Sequence, residues 1–338
     1  MNSILRILDA NLNRAREGLR IIEEWCRFGL DNPDLAQKCK FMRQELASWH
    51  VVDLKLSRNT PGDVGTTLSH PLEEQRSDIQ GLLQANISRV QEALRVLEEY
   101  GKLYDQAMGK SFKQMRYQVY TLESELLGYQ QHQRLQKAQL YLVTSPQENL
   151  CTIVEQALKG GLSLVQYRSK QGDDLDRLAE VSKLRQLCYQ HNALFIINDR
   201  LDLAQAVQAD GVHLGQKDLP IAVARKILGN QVIIGRSTTN PTEMTKAIAE
   251  GADYLGVGPV YNTPTKQGKA ATGLEYVRYA VANSPIPWYA IGGIDQGNIQ
   301  EVIAAGATRV AVVRAIMEAE NPTLATQNLL SQINNSTV

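Results

Sequence analysis

Between Leu140 and Val313 the chain carries eight short apolar runs separated by helix-forming stretches. This alternation restricts that region to a parallel sheet with helices covering its faces. The runs are Leu140–Val143, Leu164–Tyr167, Leu194–Asn198, Gly211–Leu214, Val232–Gly235, Tyr254–Val257, Pro287–Ile291 and Arg309–Val313. Helical stretches such as Leu175–His191, Pro241–Glu250 and Asn298–Ala305 lie between them. Eight β/α units within residues 137–338 predict a (β/α)8 barrel. An open, doubly wound sheet would ordinarily show a Gly-rich turn after its first strand. Here Val143 is followed by Thr144-Ser145-Pro146.

The chain ahead of the barrel has a different texture. Residues 1–136 hold only 8 of the 24 glycines and read as long helices. They contain an internal repeat. Ala10-Asn11, Arg14, Glu17, Leu19-Arg20 and Glu23-Glu24-Trp25 reappear as Ala85-Asn86, Arg89, Glu92, Leu94-Arg95 and Glu98-Glu99-Tyr100. A weaker echo pairs Lys40 and Met42-Arg43 with Lys113 and Met115-Arg116. The apolar seams Leu5, Leu8, Leu12, Ala15, Leu19, Ile22 and Leu83, Ile87, Val90, Leu94, Leu97 follow steps of three and four. The expected architecture is a duplicated helical hairpin forming an all-α domain over 1–130. A polar linker at 131–137 and the barrel over 138–338 follow. The recurring Asn, Arg and Glu positions are either i,i+3 and i,i+4 ion pairs on solvated faces, or a polar seam between the duplicated halves, or a ligand site there.

Composition narrows the partners. Lys plus Arg and Asp plus Glu both number 36, so no basic excess points to a nucleic acid. No apolar run approaches the ~20 residues that span a bilayer. Four arginines (Arg6, Arg14, Arg16, Arg20) raise the question of a transit peptide, but Asp9, Glu17 and the repeat favour a structural helix. Cys26, Cys39, Cys151 and Cys188 form no CxxC pair, which reads as reduced thiols in a cytoplasmic protein.

In such a barrel the chemistry sits where strands end. After the second run, alternation aims Gln166, Arg168 and Lys170 to one side, either a cationic set suited to pyrophosphate or an exposed basic strand end. The third and fourth runs end near Asp199 and Asp218. Two carboxylates from neighbouring strand ends would hold one Mg²⁺, with water and phosphate oxygens completing its shell. Each would otherwise be a helix N-cap. The fifth run opens a hydroxyl cluster, Ser237-Thr238-Thr239, which would bind a ligand or cap the helix near Pro241. Tyr261–Gly273 has the length and polarity of a lid that excludes water, or of a plain disordered loop. Gly292-Gly293 after run seven, and Val313-Arg314 after run eight, suit a monophosphate approached by backbone N–H groups. No Ser/His/Asp or Cys/His arrangement is legible, and His213 is read as a structural residue.

These motifs resemble the thiamine phosphate synthase family. The likeness is carried by Gln166-x-Arg168-x-Lys170, Ile197-Asn198-Asp199, Ala209 to Gln216, Gly258-Pro259-Val260-Tyr261, Thr263-x-Thr265-Lys266 and Ile291-Gly292-Gly293-Ile294. The resemblance implies a Mg²⁺-dependent transferase that joins 4-amino-5-hydroxymethyl-2-methylpyrimidine diphosphate to a thiazole phosphate carboxylate. It gives thiamine monophosphate, pyrophosphate and CO₂. It implies Asp199 and Asp218 as Mg²⁺ ligands. Gln166, Arg168, Lys170, Asn198, Ser237 and Lys266 would hold the pyrimidine diphosphate, with Lys170, Lys266 and Ser237 in catalytic roles. Thr263, Thr265, Gly293 and the Val313-Arg314 backbone would hold the thiazole phosphate. Arg200 and Arg314 depart from the family pattern, where Asp and Ser are usual. Arg200 would weaken the cation site or pair with pyrophosphate, and Arg314 would strengthen the monophosphate site. The helical domain resembles an extra domain of some bacterial members. The partners are then small phosphorylated molecules, with no nucleic acid and no membrane, and a homo-oligomer is left open. A thiazole tautomerase on the same barrel would not need Lys170, Asp199, Asp218 and Lys266. A ligand sensor would bind without turnover.

Overall fold

A computed structural model describes residues 2–59, 78–169, 172–263 and 270–335. The chain forms two compact units, Met1–Leu127 and Gly128–Val338.

The first unit is helical: α1 (Asn2–Phe28), α2 (Pro33–Ser48), the short α3 (Val52–Leu56), α4 (Ile79–Tyr104) and the front of α5 (Gln106–Lys137). Helix α2 is 16 residues long, shorter than α1 and α4. The predicted seams, apart from the half-buried Leu5, are its core: Leu8, Leu12, Ala15, Leu19 and Ile22 of α1 and Leu83, Ile87, Val90, Leu94 and Leu97 of α4 are buried. Helix α1 packs against both α2 and α4. At Gly18 α4 approaches so closely that a Cβ would stand 2.6 Å from Val90 Cγ2 and 3.1 Å from the Asn86 carbonyl oxygen. The positively charged start of the chain is therefore a structural helix.

The repeated polar residues recur as repeated geometry. Asn11 and Asn86 each donate to the carbonyl four residues back, both at 2.8 Å. Glu23 receives Arg43 at 2.6 Å, and Glu98 receives Arg116 at 3.0 Å. Both carboxylates are buried, at 2% and 3% exposure. Solvated ion pairs describe Arg20–Glu24 and Arg95–Glu99, but not these two. Their second partners come from the weaker echo, so each hairpin is tied across its own two helices. Replacing Glu98 by Leu leaves the Arg116 guanidinium with the Tyr120 hydroxyl but without its carboxylate, and a loss of roughly 2 kcal/mol is expected. Urea unfolding followed by the fluorescence of Trp25 and Trp49 would read it. One feature has no copy. Asp9, buried in the first half, accepts from Arg58 at 2.8 and 2.9 Å and lies 2.6 Å from His50 Nε2. Its counterpart in the repeat is Gln84.

The second unit closes eight parallel strands into a TIM barrel in chain order. These are β1 (Leu140–Val143), β2 (Leu164–Tyr167), β3 (Leu194–Asn198), β4 (Gly211–Leu214), β5 (Ile233–Thr238), β6 (Tyr254–Val257), β7 (Trp288–Ile291) and β8 (Val310–Val312). Crossover helices are α6 (Leu150–Lys159), α7 (Asp174–Gln190), α8 (Leu201–Ala206), α9 (Ile221–Leu228), α10 (Pro241–Ala249), α11 (Gly273–Asn283) and α12 (Ile299–Ala304), with α13 (Arg314–Met317) and α14 (Pro322–Asn334) after β8. Strand residues pointing outward, such as Val165, Phe195 and Val212, join the layer under the helices. Those pointing inward, including Tyr141, Leu164, Ile196, Ile233, Tyr254 and Tyr289, fill the barrel. This is the alternation a closed parallel barrel requires.

Residues 131–137, expected as a linker, are the last turns of α5. Their polarity concealed one buried residue, Leu135, which joins the interior cluster with Ala138. The Tyr289 hydroxyl donates to the Ala138 carbonyl at 2.8 Å and so fastens the barrel base. Earlier in the same turns His132 Nε2 meets Asp253 Oδ1 at 2.9 Å. The Asp253 carboxylate holds the imidazolium above its ordinary value of 6.5, against burial. A raised histidine stabilises fully below its unfolded value, and that stability is lost as pH rises through the folded one. Stability should thus fall as pH rises past the ordinary value of 6.5 and through the raised folded one, and His132→Gln should remove that fall in urea unfolding. All four cysteines are free, and three are buried. Among the described residues no helix is long and apolar enough to cross a membrane.

Candidate active site

The C-terminal strand ends surround a cavity of about 480 Å³. Eight of the residues singled out from sequence line it: Gln166, Arg168, Asn198, Ser237, Thr263, Gly293, Val313 and Arg314. They come from β2, β3 and β5 on one side and from the segments after β6, β7 and β8 on the other. Lys170, Thr265 and Lys266 lie outside the described residues, as does 264–269 of the expected lid.

Local structure explains how each is aimed. In β2 the Tyr167 ring turns into the helix layer, so Gln166 and Arg168 turn inward. Thr144, which no motif marks as a site residue, is fully buried, and its Oγ1 accepts the Arg168 N–H at 3.0 Å. That fixes the backbone from which the guanidinium projects. The hydroxyl cluster after β5 divides its work. Ser237 faces the cavity. Thr238 is buried and receives the Tyr276 hydroxyl at 2.8 Å. Thr239 gives both its N–H and its hydroxyl to Glu243 in the first turn of α10, whose N-cap is Asn240.

Gly292 and Gly293 have φ of +110° and +67°, in the left-handed region. A Cβ on Gly292 would stand 2.5 Å from Pro259, and one on Gly293 would stand 2.8 Å from Tyr261. Only glycine gives this close approach without strain. The Asn298 amide donates to the Gly293 carbonyl at 2.8 Å, so the peptide is held from behind. After β8, α13 folds back with the N–H groups of Ile316 and Met317 on the Val313 carbonyl.

Asp199 and Asp218 are not among the residues lining the cavity, although Asp199 directly follows Asn198, which is. Neither is a helix cap: α8 starts after Arg200 and α9 after Pro220. Asp199 has φ +61°, unusual for a non-glycine residue, and its N–H donates to the His213 carbonyl at 3.0 Å. Asp218 Oδ2 accepts the Gly215 N–H at 2.6 Å. Oxygen donors from two adjacent strand ends suit a hard cation that keeps water and phosphate oxygens in its other positions. Arg200, beside Asp199, is engaged by two other carboxylates. Its guanidinium binds Asp202 at 2.8 Å and Asp174 at 2.9 Å, and it holds the Asp202 carboxyl down to about 2.

Two sequence expectations change. His213 does more than end a strand: it lines the cavity, and its Nε2 lies 2.9 Å from Ser237 Oγ. A Ser–His pair is therefore present, with a phenol in the place of the usual carboxylate, since Nδ1 faces the Tyr254 hydroxyl at 3.1 Å. The pairing follows from the register, which sets His213 beside Gly235 and Ser237 beside Gly256.

The family model described as thiamine monophosphate synthase matches residues 140–316. The thiamine-phosphate synthase of Nostoc sp. is 67% identical over 331 residues, covering 98% of this chain and 94% of that one. The chain belongs to the thiamine-phosphate synthase family. The synthase of Synechocystis sp. is likewise 67% identical, over 98% of this chain and 96% of its own. These synthases match across both units, so the helical region is shared with them. That region separately matches the ThiD2 family over residues 6–125. Among solved structures, the thiamine phosphate pyrophosphorylase from Pyrococcus furiosus is 38% identical. It covers 60% of this chain and 98% of its own, with a TM-score of 0.55.

Proposed function

We propose that the chain is a cytoplasmic, Mg²⁺-dependent transferase acting on two small phosphorylated substrates. It joins 4-amino-5-hydroxymethyl-2-methylpyrimidine diphosphate to a thiazole phosphate carboxylate and yields thiamine monophosphate, pyrophosphate and CO₂. One observation carries this reading. A single cavity receives a polar and cationic set from β2, β3 and β5, and a Gly-Gly turn with a helical turn from β7 and β8. Two anionic ends would then lie in one mouth, with the reacting carbon and nitrogen between them.

The residues divide accordingly. Arg168, with Lys170 and Lys266, would neutralise the charge that grows on the leaving pyrophosphate as the C–O bond breaks. Ser237 would donate to the same group. Gln166 and Asn198 would orient the pyrimidine. Gly293 and the Val313-Arg314 backbone, with Thr263 and Thr265, would grip the thiazole phosphate and bring its nitrogen to the methylene carbon. Asp199 and Asp218 would hold Mg²⁺, which supplies further charge neutralisation for the leaving group. The aminopyrimidine ring stabilises the methylene cation, so no protein nucleophile is required.

Titration calorimetry separates this reading from a tautomerase on the same barrel. The synthase reading expects the pyrimidine diphosphate to bind in the presence of Mg²⁺, and to bind far more weakly after chelation. Binding of the thiazole phosphate alone would favour the tautomerase.

A further inference from the structure

A hydrogen-bonded chain crosses the barrel interior and both its ends reach the cavity. Gln166 Nε2 donates to the Tyr141 hydroxyl at 2.5 Å. The Tyr141 and Tyr254 hydroxyls are 2.7 Å apart. Tyr254 lies 3.1 Å from His213 Nδ1, and His213 Nε2 lies 2.9 Å from Ser237 Oγ. Gln166, Tyr141, Tyr254 and His213 are buried. The two phenol rings pack edge-on against each other and against Tyr289, with centroids 5.1 to 5.8 Å apart, so they are not free to swing out of line. Burial also pushes both phenols upward, which keeps them protonated.

Such a chain has a direction. A phenol carries one proton, so if it accepts from one neighbour it donates to the other. With the Gln166 amide donating, Tyr141 gives its proton to Tyr254, and Tyr254 gives its own to Nδ1. A neutral imidazole that accepts at Nδ1 carries its proton at Nε2 and donates it to Ser237. The Ser237 proton is then directed to the cavity, and the Gln166 carbonyl oxygen is the acceptor at the far end.

We propose that Tyr141, Tyr254 and His213 are positioning residues of a one-way relay that fixes Ser237 as a donor toward an anionic diphosphate and Gln166 as an acceptor toward a ring amino group. The inference rests on the substrate reading above. The reverse direction would make Ser237 donate to His213, as an activated nucleophile does, and would turn the Gln166 amide nitrogen toward the ring. A phosphate oxygen can only accept and an amino group can donate, so both ends of the substrate select the forward direction. An acceptor at the amino group also favours electron release into the ring, where the methylene cation forms.

The direction is readable without turnover. Imidazole ¹⁵N resonances of the full chain, with His213→Gln identifying the signal among five histidines, should show His213 protonated at Nε2 and bare at Nδ1. Added Mg²⁺ and inorganic pyrophosphate should leave that state unchanged. A proton on Nδ1 would overturn the relay, whether or not the synthase reading stands. Kinetics then test the coupling. Tyr254→Phe keeps the ring and removes the link, and should lower kcat/KM for the pyrimidine diphosphate about 10- to 100-fold. On a Ser237→Ala background the same change should cost less than threefold, roughly, because its route is already cut. Full additivity would contradict the proposal. His213→Gln, which keeps a donor near Nε2, should retain more activity than His213→Leu, and equal losses would count against it. A wild-type chain that makes no product would sink the synthase reading and leave the ¹⁵N result to decide the relay.

Discussion

Replacing Asp199 by Asn should lower kcat by roughly 10²- to 10³-fold, the scale of losing one preorganised electrostatic contact to a developing charge. It should also move the Mg²⁺ titration of the remaining activity to higher concentration. Asparagine is the informative substitution because position 199 is left-handed, at φ +61°. Asn tolerates that region better than Ala does, so the backbone and its hydrogen bond to the His213 carbonyl are preserved. Asp218 is a less clean probe, since its carboxylate also closes a turn on the Gly215 N–H. Activity assays across a Mg²⁺ series, with a thermal melt of the variant, would check the prediction. An unchanged titration would remove Asp199 from the proposed cation site.

The second large effect is expected at the opposite end of the cavity. Gly293→Ala places a Cβ 2.8 Å from Tyr261 Cβ and 3.1 Å from the Asn262 carbonyl, at φ +67°. Relief requires either the Gly293 peptide or the 261–263 segment to move, at a cost of about 1–3 kcal/mol. Both flank the proposed monophosphate grip. KM for the thiazole phosphate should rise roughly ten- to a hundredfold, with KM for the pyrimidine diphosphate within about twofold. Initial-rate measurements with each substrate varied would show it. Equal rises in both constants would mean that the two ends are not separate sites.

These effects could be anticipated because barrel chemistry follows strand ends, and strand ends are written in the sequence. Asn198, Ser237 and Gly293 each sit at or just beyond the last apolar residue of a run, and each reaches the cavity. The interior was harder to read. Tyr141, His213 and Tyr254 belong to three strands and are far apart in the chain, and only barrel closure puts their polar ends in line. Periodicity places each of them inside the barrel without saying which of them touch. In the helical unit the repeat was plain, but i,i+3 spacing fits a solvated Glu98 as well as a buried one. What separates the two is Arg116, whose echo of Arg43 is shifted by two residues from the main repeat. Leu135 was hidden for a different reason: one apolar residue among polar neighbours has no period, yet it is enough to join the base of the barrel.

The most direct test is a single time course on the purified chain with both substrates and Mg²⁺. Thiamine monophosphate, pyrophosphate and CO₂ should accumulate in equal amounts, and none should form when either substrate is omitted. Pyrophosphate released without thiamine monophosphate, or no product at saturating substrate, would contradict the account.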